Sequence, residues 1–229
     1  MRRTPSTAEF AAQRAEMVES QLRRRGIRDE RALAAMTTVP RELFVPARYR
    51  RRAYADSALS IGHGQTISQP WIVAAICEAL ALEGSEQVLE IGTGSGYSAA
   101  VLAMLAHEVI TVERIEELAA AARLLLAEIG VGDKVEVVVG DGSAGLADRA
   151  PYEAIAVHAT APSPPPTLIE QLAPGGRLVI PIATDASDML TVFHRVEGDV
   201  DARTGDGLER TVIGPCRFVP LIGSEGYPE

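Results

Sequence analysis

The feature that most constrains this chain is a glycine-rich turn between a short apolar segment and a helical pattern. It reads Glu-Ile-Gly-Thr-Gly-Ser-Gly over residues 90–96 and follows the strand-like segment 87–91. Three glycines at alternate positions let the backbone bend sharply and approach a ligand without hindrance from a Cβ atom. Short apolar runs then alternate with helical patterns up to residue 181. This alternation predicts an α/β fold with a mostly parallel sheet and helices on both of its faces.

Residues 1–86 precede the alternating region and are largely helical in pattern. Apolar residues recur at helical spacing up to Gly26, which offers a stop, and Asp29 is suited to cap a second helix. Residues 53–70 show no periodic apolar pattern and are expected to be irregular. We therefore expect a helical N-terminal segment, residues 1–86, packed on a core formed by residues 87–229 in one structural domain.

The C-terminal part of the chain is predicted to form a hairpin. Residues 189–196 and 210–219 have the composition of strands, and the polar segment 197–207 between them contains glycine and aspartate. Such a pattern is typical of an antiparallel hairpin. We expect it to belong to the same, otherwise parallel sheet.

Composition and charge exclude several classes of protein. No apolar run approaches the roughly 20 residues that a membrane-spanning helix needs, and the N-terminus lacks the apolar segment of a secretory signal. The net charge of −9 argues against nucleic-acid binding. Cys77, Cys216 and the four histidines show no metal-ligand spacing. We expect a cytoplasmic, monomeric protein with two buried, reduced thiols, no metal, and no membrane or nucleic-acid partner.

Two carboxylates at predicted strand ends indicate a nucleoside-containing cofactor. Glu113 closes the second strand, 21 residues after Gly92, where its carboxylate can accept hydrogen bonds from the ribose hydroxyls of an adenosine. Asp141 and Gly142 close the third strand. There the carboxylate can accept from the adenine amino group, and the glycine lets the ring pack closely.

The same residues allow other interpretations. A nicotinamide dinucleotide site would have a third glycine at position 97, where this chain has tyrosine. Glu113 could instead pair with Arg114 or Arg123, and Asp141 could begin a turn. A cofactor without phosphates, held by three glycines and two acids at the ends of three consecutive strands, accounts for all these residues together.

The pattern Glu-x-Gly-x-Gly-x-Gly, followed by a strand-end acid and then Asp-Gly, resembles the class I S-adenosylmethionine methyltransferases. The resemblance implies a Rossmann-like, seven-stranded sheet whose last strand is antiparallel. It also implies S-adenosyl-L-methionine as cofactor and S-adenosyl-L-homocysteine as product. The cofactor-binding residues that it implies are Gln65, Ile67, Glu90, Gly92, Thr93, Gly94, Ser95, Gly96, Glu113, Arg114, Asp141 and Gly142.

The regions outside this common core are more specific. They contain Val-Pro-Arg-Glu-Leu-Phe-Val-Pro at 39–46, Ile-Gly-His-Gly-Gln-Thr-Ile-Ser-Gln-Pro at 61–70, Pro-Gly-Gly-Arg-Leu-Val-Ile-Pro at 174–181 and Arg-Phe-Val-Pro-Leu at 217–221. Together these stretches resemble the protein-L-isoaspartate O-methyltransferases over nearly the whole chain. The resemblance implies methylation of the free α-carboxylate of L-isoaspartyl residues in damaged proteins and peptides, which starts their repair through a succinimide.

The resemblance also implies the acceptor site, with Ser68 and Thr66 as catalytic side chains on a loop that covers both cofactor and acceptor. Ser68 additionally suits the N-cap of a helix that begins near Pro70, and we expect both roles. A Ser68 nucleophile activated by His63 is disfavoured, because Gly-His-Gly suits a tight turn. His158 departs from the small residues usual in the family; a turn or surface histidine is the favoured interpretation, and a histidine at the cleft edge that tunes substrate preference is the alternative. The implied acceptor-binding residues are Ile61, Gly62, His63, Ala159, Thr160, Ala161 and Arg217.

Other functions account for parts of the sequence. A related enzyme that methylates an aspartate of a dedicated peptide would share most motifs, although no long C-terminal extension is available here to bind a leader. A small-molecule or RNA methyltransferase would share the core but not the N-terminal stretches. A non-catalytic binding module would be expected to have lost the glycine loop, Glu113 or Ser68, and all of these are present.

Overall fold

Two helices open the chain, and each is bounded by residues suited to that position. The computed structural model describes residues 5–196, 198, 200–201 and 205–228. Helix α1 (Thr7–Met17) begins at a Ser6 capping box and continues through a π-helical turn and a 3₁₀ turn to Gly26, whose φ is +101°. Helix α2 (Glu30–Thr38) begins after Asp29, whose side chain accepts the backbone N–H groups of the first turn. The predicted stop and the predicted cap are both confirmed.

A small hairpin and a third helix follow. Strands β1 (Leu59–Gly62) and β2 (Gln65–Ile67) pair antiparallel. His63 and Gly64 form the turn with φ of +50° and +73°, which confirms the tight turn. The expectation that residues 53–70 are wholly irregular was therefore wrong, because strands of four and three residues are too short to show an alternating pattern. Helix α3 (Pro70–Leu80) comes next.

The remaining elements form a seven-stranded sheet with its helices. In chain order they are β3 (Gln87–Ile91), α4 (Tyr97–Leu102), β4 (Glu108–Glu113), α5 (Glu116–Glu128), β5 (Val135–Val139), β6 (Tyr152–Val157), α6 (Pro166–Glu170), β7 (Leu172–Ala183), β8 (Asp188–Arg195) and β9 (Leu208–Cys216). The spatial order is β5-β4-β3-β6-β7-β8-β9. Strands β3 to β7 run parallel, as predicted.

The edge of the sheet corrects one detail of the expectation. Strand β8 is antiparallel to β7, and β9 is antiparallel to β8. Two successive hairpins reverse the chain twice, so the strand that opposes the others is β8 and not the last strand. The C-terminal hairpin itself is confirmed, and its predicted turn over residues 197–207 lies partly outside the described residues.

The position of β3 decides where a ligand can bind. The chain leaves β3 for β4 on one side and later returns to β6 on the other side. The connections after these two neighbouring strands therefore diverge and open a crevice at their carboxyl ends, which is the usual ligand site of such sheets.

Two apolar clusters hold the sheet between its helices. One joins the N-terminal helices to one face of the sheet and includes Met17, Leu33 and Leu102. The other lies on the opposite face and includes Leu89, Ile155 and residues of α6. Within the described residues, no helix is long and apolar enough to cross a bilayer.

We predict that Asp29→Ala destabilises the protein by about 1 kcal/mol, the usual cost of losing an N-cap. The Asp29 carboxylate accepts from the N–H groups of Arg31 at 2.8 Å and Ala32 at 3.3 Å, and alanine leaves both without this partner. Urea unfolding measures the effect. Asp29→Asn keeps an accepting oxygen and is the matched control; an equal loss in both variants would refute the capping explanation.

Candidate active site

A cleft of about 650 Å³ opens at the crevice between β3 and β6. The glycine loop after β3 forms its floor, and the segment from β2 into α3 forms its roof. Residues 215–222, at the end of β9 and beyond, form a third wall. Three parts of the chain that are distant in sequence therefore enclose one space.

The glycine loop has the conformation that the sequence predicted. Gly92, Gly94 and Gly96 have φ of +93°, +53° and +87°, which favour glycine. Gly92 and Gly94 line the cleft, whereas Gly96 packs against α5, where an added Cβ would lie 3.3 Å from the Cβ of Ala122. Ser95 also lines the cleft, and its Oγ is buried without a hydrogen-bond partner. A buried hydroxyl without a partner is suited to form a hydrogen bond with a polar group of a ligand.

The carboxylate of Glu113 is fixed at the edge of this loop. One oxygen accepts from the N–H of Gly94 at 2.8 Å, and the other accepts from the N–H of Ile115 at 3.0 Å. Each oxygen keeps capacity for a further hydrogen bond, which suits two vicinal hydroxyls. The alternative pairing with Arg123 does not form, because Arg123 donates to the carbonyl of Val137.

An apolar surface lies next to this carboxylate. Ile91, Val112 and Gly142 all line the cleft. A Cβ at Gly142 would lie 2.6 Å from Cγ2 of Ile91, so only glycine allows the backbone to lie this close to Ile91. A flat aromatic ring such as adenine fits beside these groups.

Asp141 lies outside the cleft lining and has partners within the chain. Its Oδ1 accepts from the N–H and the hydroxyl of Ser143 at 2.9 and 2.7 Å, and its Oδ2 accepts from the N–H of Ser224 at 2.8 Å. Burial alone would raise the pKa of Asp141, but these hydrogen bonds outweigh it and the pKa is lowered. Asp141 therefore fastens the C-terminal tail, a role that the sequence did not suggest.

The loop that carries Ser68 is held from below by a buried arginine. Ser68 and Thr66 line the cleft, and neither hydroxyl has a hydrogen-bond partner among the described residues. Arg41 is fully buried and donates from Nη2 to the Ser68 carbonyl at 2.6 Å. The expected N-cap role of Ser68 was wrong: Gln69 occupies that position, no side chain caps the helix, and Pro70 is the first helical residue. The Ser68 hydroxyl is thereby left for a ligand.

The mouth of the cleft contains residues that the sequence analysis missed. Arg25 lies over the ring of Trp71 at 5.2 Å and makes two hydrogen bonds to Asp56 at 2.9 and 3.0 Å. Arg25 and Trp71 both line the cleft. The sequence gives little indication that these are site residues, because an arginine in a basic run or an aromatic residue on a helix usually contacts no ligand.

His158 was wrongly interpreted as a turn or surface residue. Its side chain is 8% exposed and lines the cleft. Its Nε2 lies 2.8 Å from the hydroxyl of Ser98 and 3.2 Å from the carboxylate of Glu90. Glu90 itself is fully buried beneath the loop, so it supports the site from outside the cleft and is not in position to contact a cofactor directly.

Some of the other predicted site residues line the cleft and others do not. Those that line the cleft are Gln65, Ile67, Thr93, Arg114, Ala159 and Arg217. Ile61, Gly62 and His63 belong to the neighbouring hairpin instead, with Ile61 close to Gly94. Thr160 and Ala161 donate backbone hydrogen bonds to Val219 and Pro181 and do not line the cleft.

Cys216 is half-buried in the cleft wall rather than fully buried as expected, whereas Cys77 is buried; both thiols are free. Burial raises the pKa of the Cys216 thiol to about 12. The thiol is therefore protonated at neutral pH and is a poor nucleophile.

Sequence comparisons identify close relatives over nearly the full chain. Residues 12–226 match the profile of the family described as protein-L-isoaspartate(D-aspartate) O-methyltransferase. A protein-L-isoaspartate O-methyltransferase of Koribacter versatilis is 51% identical over 227 residues, which are 99% of this chain and 98% of the relative. One from Methanoculleus marisnigri is 51% identical over 215 residues, 94% of each chain.

Solved structures agree with this similarity. A protein-L-isoaspartate O-methyltransferase superposes with a TM-score of 0.78 at 28% identity, over 93% of this chain and 67% of that chain. A Plasmodium falciparum structure in complex with S-adenosyl-L-homocysteine has a TM-score of 0.75 at 24% identity, over 91% of this chain and 98% of that chain. At that identity the second structure supports the fold alone.

We predict that Gly142→Ala weakens binding of S-adenosyl-L-homocysteine by about tenfold, or roughly 1.4 kcal/mol. The added Cβ collides with Ile91 and pushes the backbone out of the cleft wall. Gly140→Ala is the matched control, because its Cβ would meet only Val112 at 4.0 Å. Titration calorimetry measures both. Equal affinities in the two variants would contradict the proposed adenine surface.

Proposed function

The chain belongs to the protein-L-isoaspartate(D-aspartate) O-methyltransferase family, and we propose that its cleft holds the cofactor on the side of Glu113 and the acceptor on the side of Ser68. The enzyme transfers the methyl group of S-adenosyl-L-methionine to the free α-carboxylate of L-isoaspartyl residues in damaged proteins and peptides. The resulting ester starts repair through a succinimide.

The residues on the side of Glu113 fit the cofactor. The two oxygens of Glu113 have capacity for the ribose hydroxyls, and Ile91, Val112 and Gly142 offer a surface for adenine. The unpartnered hydroxyl of Ser95 and the backbone of the glycine loop suit the polar amino-acid end. When bound, S-adenosyl-L-methionine supplies an activated methyl group and leaves as a neutral thioether.

The acceptor side needs no general base. A carboxylic acid in water has a pKa of about 4, so the acceptor is already ionised at neutral pH. The chain therefore has to desolvate that carboxylate, orient it and keep water away. We propose that the hydroxyls of Ser68 and Thr66 donate hydrogen bonds to it. The observation that carries this proposal is that both hydroxyls line the cleft without a partner among the described residues.

The N-terminal segment gives the acceptor side its shape. Residues 1–86 supply the loop with Ser68, and the same segment supplies Arg25 and Trp71 at the mouth. One apolar cluster joins its helices to the sheet. We propose that residues 1–86 and 87–229 form one structural domain, with acceptor recognition assigned mainly to the first part.

We propose that the enzyme works as a cytoplasmic monomer on proteins and peptides, without binding nucleic acid or membrane. The acidic net charge of −9 supports the absence of a general nucleic-acid partner. The two unpaired cysteines fit a reducing compartment.

The activity is tested with paired peptides that differ only in isoaspartate or aspartate. We expect base-labile labelled methyl on the isoaspartyl peptide alone, because the ester forms only where the free α-carboxylate is available. Scintillation counting after base release measures it. Label on the aspartyl peptide alone, or on neither, would overturn this acceptor and point to a dedicated peptide or a small molecule.

We predict that Ser68→Ala lowers kcat/KM for the isoaspartyl peptide roughly 10- to 100-fold, the loss expected for a hydrogen bond to a charged group. The affinity for S-adenosyl-L-homocysteine should stay unchanged, because Ser68 serves the acceptor. Ser60→Ala, at an exposed position on strand β1, is the control and should be as active as the wild type. Unaltered kinetics in Ser68→Ala would show that the Ser68 hydroxyl does not bind the acceptor.

A further inference from the structure

His158 occupies the point of the sheet where a ligand is most constrained. It is the first residue after β6, and Gly92 is the first after β3. The two strands are neighbours, and a Cβ on Gly92 would lie 3.4 Å from that of His158. These two residues therefore flank the crevice where the chain connections diverge. A side chain at either position lies beside any ligand that binds in the crevice.

The imidazole of His158 is anchored by only one of its two nitrogens. Nε2 lies 2.8 Å from Oγ of Ser98 and 3.2 Å from Oε1 of Glu90. Nδ1 has no hydrogen-bond partner among the described residues, and the residue lines the cleft. The ring is thus held in one orientation with one polar atom left for a ligand.

The buried carboxylate of Glu90 lies behind that ring. Glu90 is fully buried, and its Oε2 accepts from the hydroxyl of Thr111 at 2.6 Å. Its Oε1 has no hydrogen-bond partner, and His158 is the ion-pair partner that the structure gives it in the described part of the chain. Ser98 and Glu90 therefore both face Nε2, and Nδ1 is the ring atom that remains to contact a ligand.

We propose that His158 is an acceptor-binding residue whose Nδ1–H donates to the carboxylate of the isoaspartyl residue. The proposal rests on the function proposed above. Its support is the location of the ring, which lies 6.4 Å from the ring of Phe218 and next to Ala159. These residues lie on the side of β6 and the tail, away from Glu113 on β4. Glu90 and Ser98 are positioning residues that act through the imidazole.

The charge of the acceptor predicts which kinetic constant changes. The carboxylate is fully charged when it binds and loses its charge as it becomes an ester. A hydrogen-bond donor to this carboxylate therefore stabilises the bound acceptor at least as strongly as the transition state. Removing such a donor raises KM while kcat stays unchanged.

The test compares His158→Met with His158→Gln, using an isoaspartyl peptide. We expect the methionine variant to raise the peptide KM roughly 10- to 100-fold, as for a lost hydrogen bond to a charged group. kcat and the affinity for S-adenosyl-L-homocysteine should not change. Glutamine retains an amide donor and should restore much of the lost affinity. His107→Met, at an exposed position, is the matched control and should match the wild type.

Because methionine removes the polar contact of His158 with the buried Glu90, the double variant Glu90→Gln, His158→Met provides a second measurement. It replaces the buried carboxylate by a neutral amide and should show the same KM defect in a stably folded protein. An unchanged peptide KM in either folded variant would overturn the proposal. The proposal would also be overturned if weaker binding of S-adenosyl-L-homocysteine accounted for the whole increase in the peptide KM. Wild-type enzyme that fails to methylate the isoaspartyl peptide would instead refute the proposed function.

Discussion

The site depends on one topological constraint, the divergence of the chain on either side of β3. Because β4 lies on one side and β6 on the other, the loops that leave β3 and β6 cannot close over each other. Glycines in the first loop keep its backbone close to the strand end, and Glu113 at the end of β4 ties that loop through the N–H of Gly94. We propose that cofactor recognition is therefore built from backbone geometry and one carboxylate, and that the second loop, which begins at His158, serves the other reactant.

Arg41 joins the N-terminal segment to this core. Its Nε and Nη2 donate to the carbonyls of Ala53 and Ser68, and its guanidinium lies 4.8 Å from the ring centre of Tyr97. Burial lowers the pKa of Arg41, and in the part of the chain that the structure describes no carboxylate lies within ion-pair distance of it. Carbonyl dipoles and an aromatic face therefore compensate the charge. Tyr97 stands where a dinucleotide site would need glycine, so the residue that disfavours that cofactor also supports the loop of the acceptor.

Features that depend on neighbouring residues could be predicted from the sequence, and features that depend on distant ones could not. The bounds of β3 were predicted to the residue, because a short, mostly apolar segment ends directly at the glycine loop. The cap at Asp29 and the turn at His63 are equally local. The hydrogen bond from the Ser224 N–H in the tail to Asp141 joins residues 83 positions apart. The contact of His158 with Glu90 joins the end of β6 to the neighbouring strand β3. Neither contact leaves a periodic signal in the sequence.

The reaction explains why this site contains donors and no strong base. The acceptor arrives as an anion and the methyl group is carried by a cation, so both charges disappear as the ester forms. A general base would have no proton to remove, and a strong cationic clamp would hold the acceptor in its unreacted form. We propose that neutral hydroxyls at Ser68 and Thr66 orient the carboxylate at little cost to its reactivity, and that the imidazole of His158, held on its other side by Ser98 and Glu90, adds a further donor.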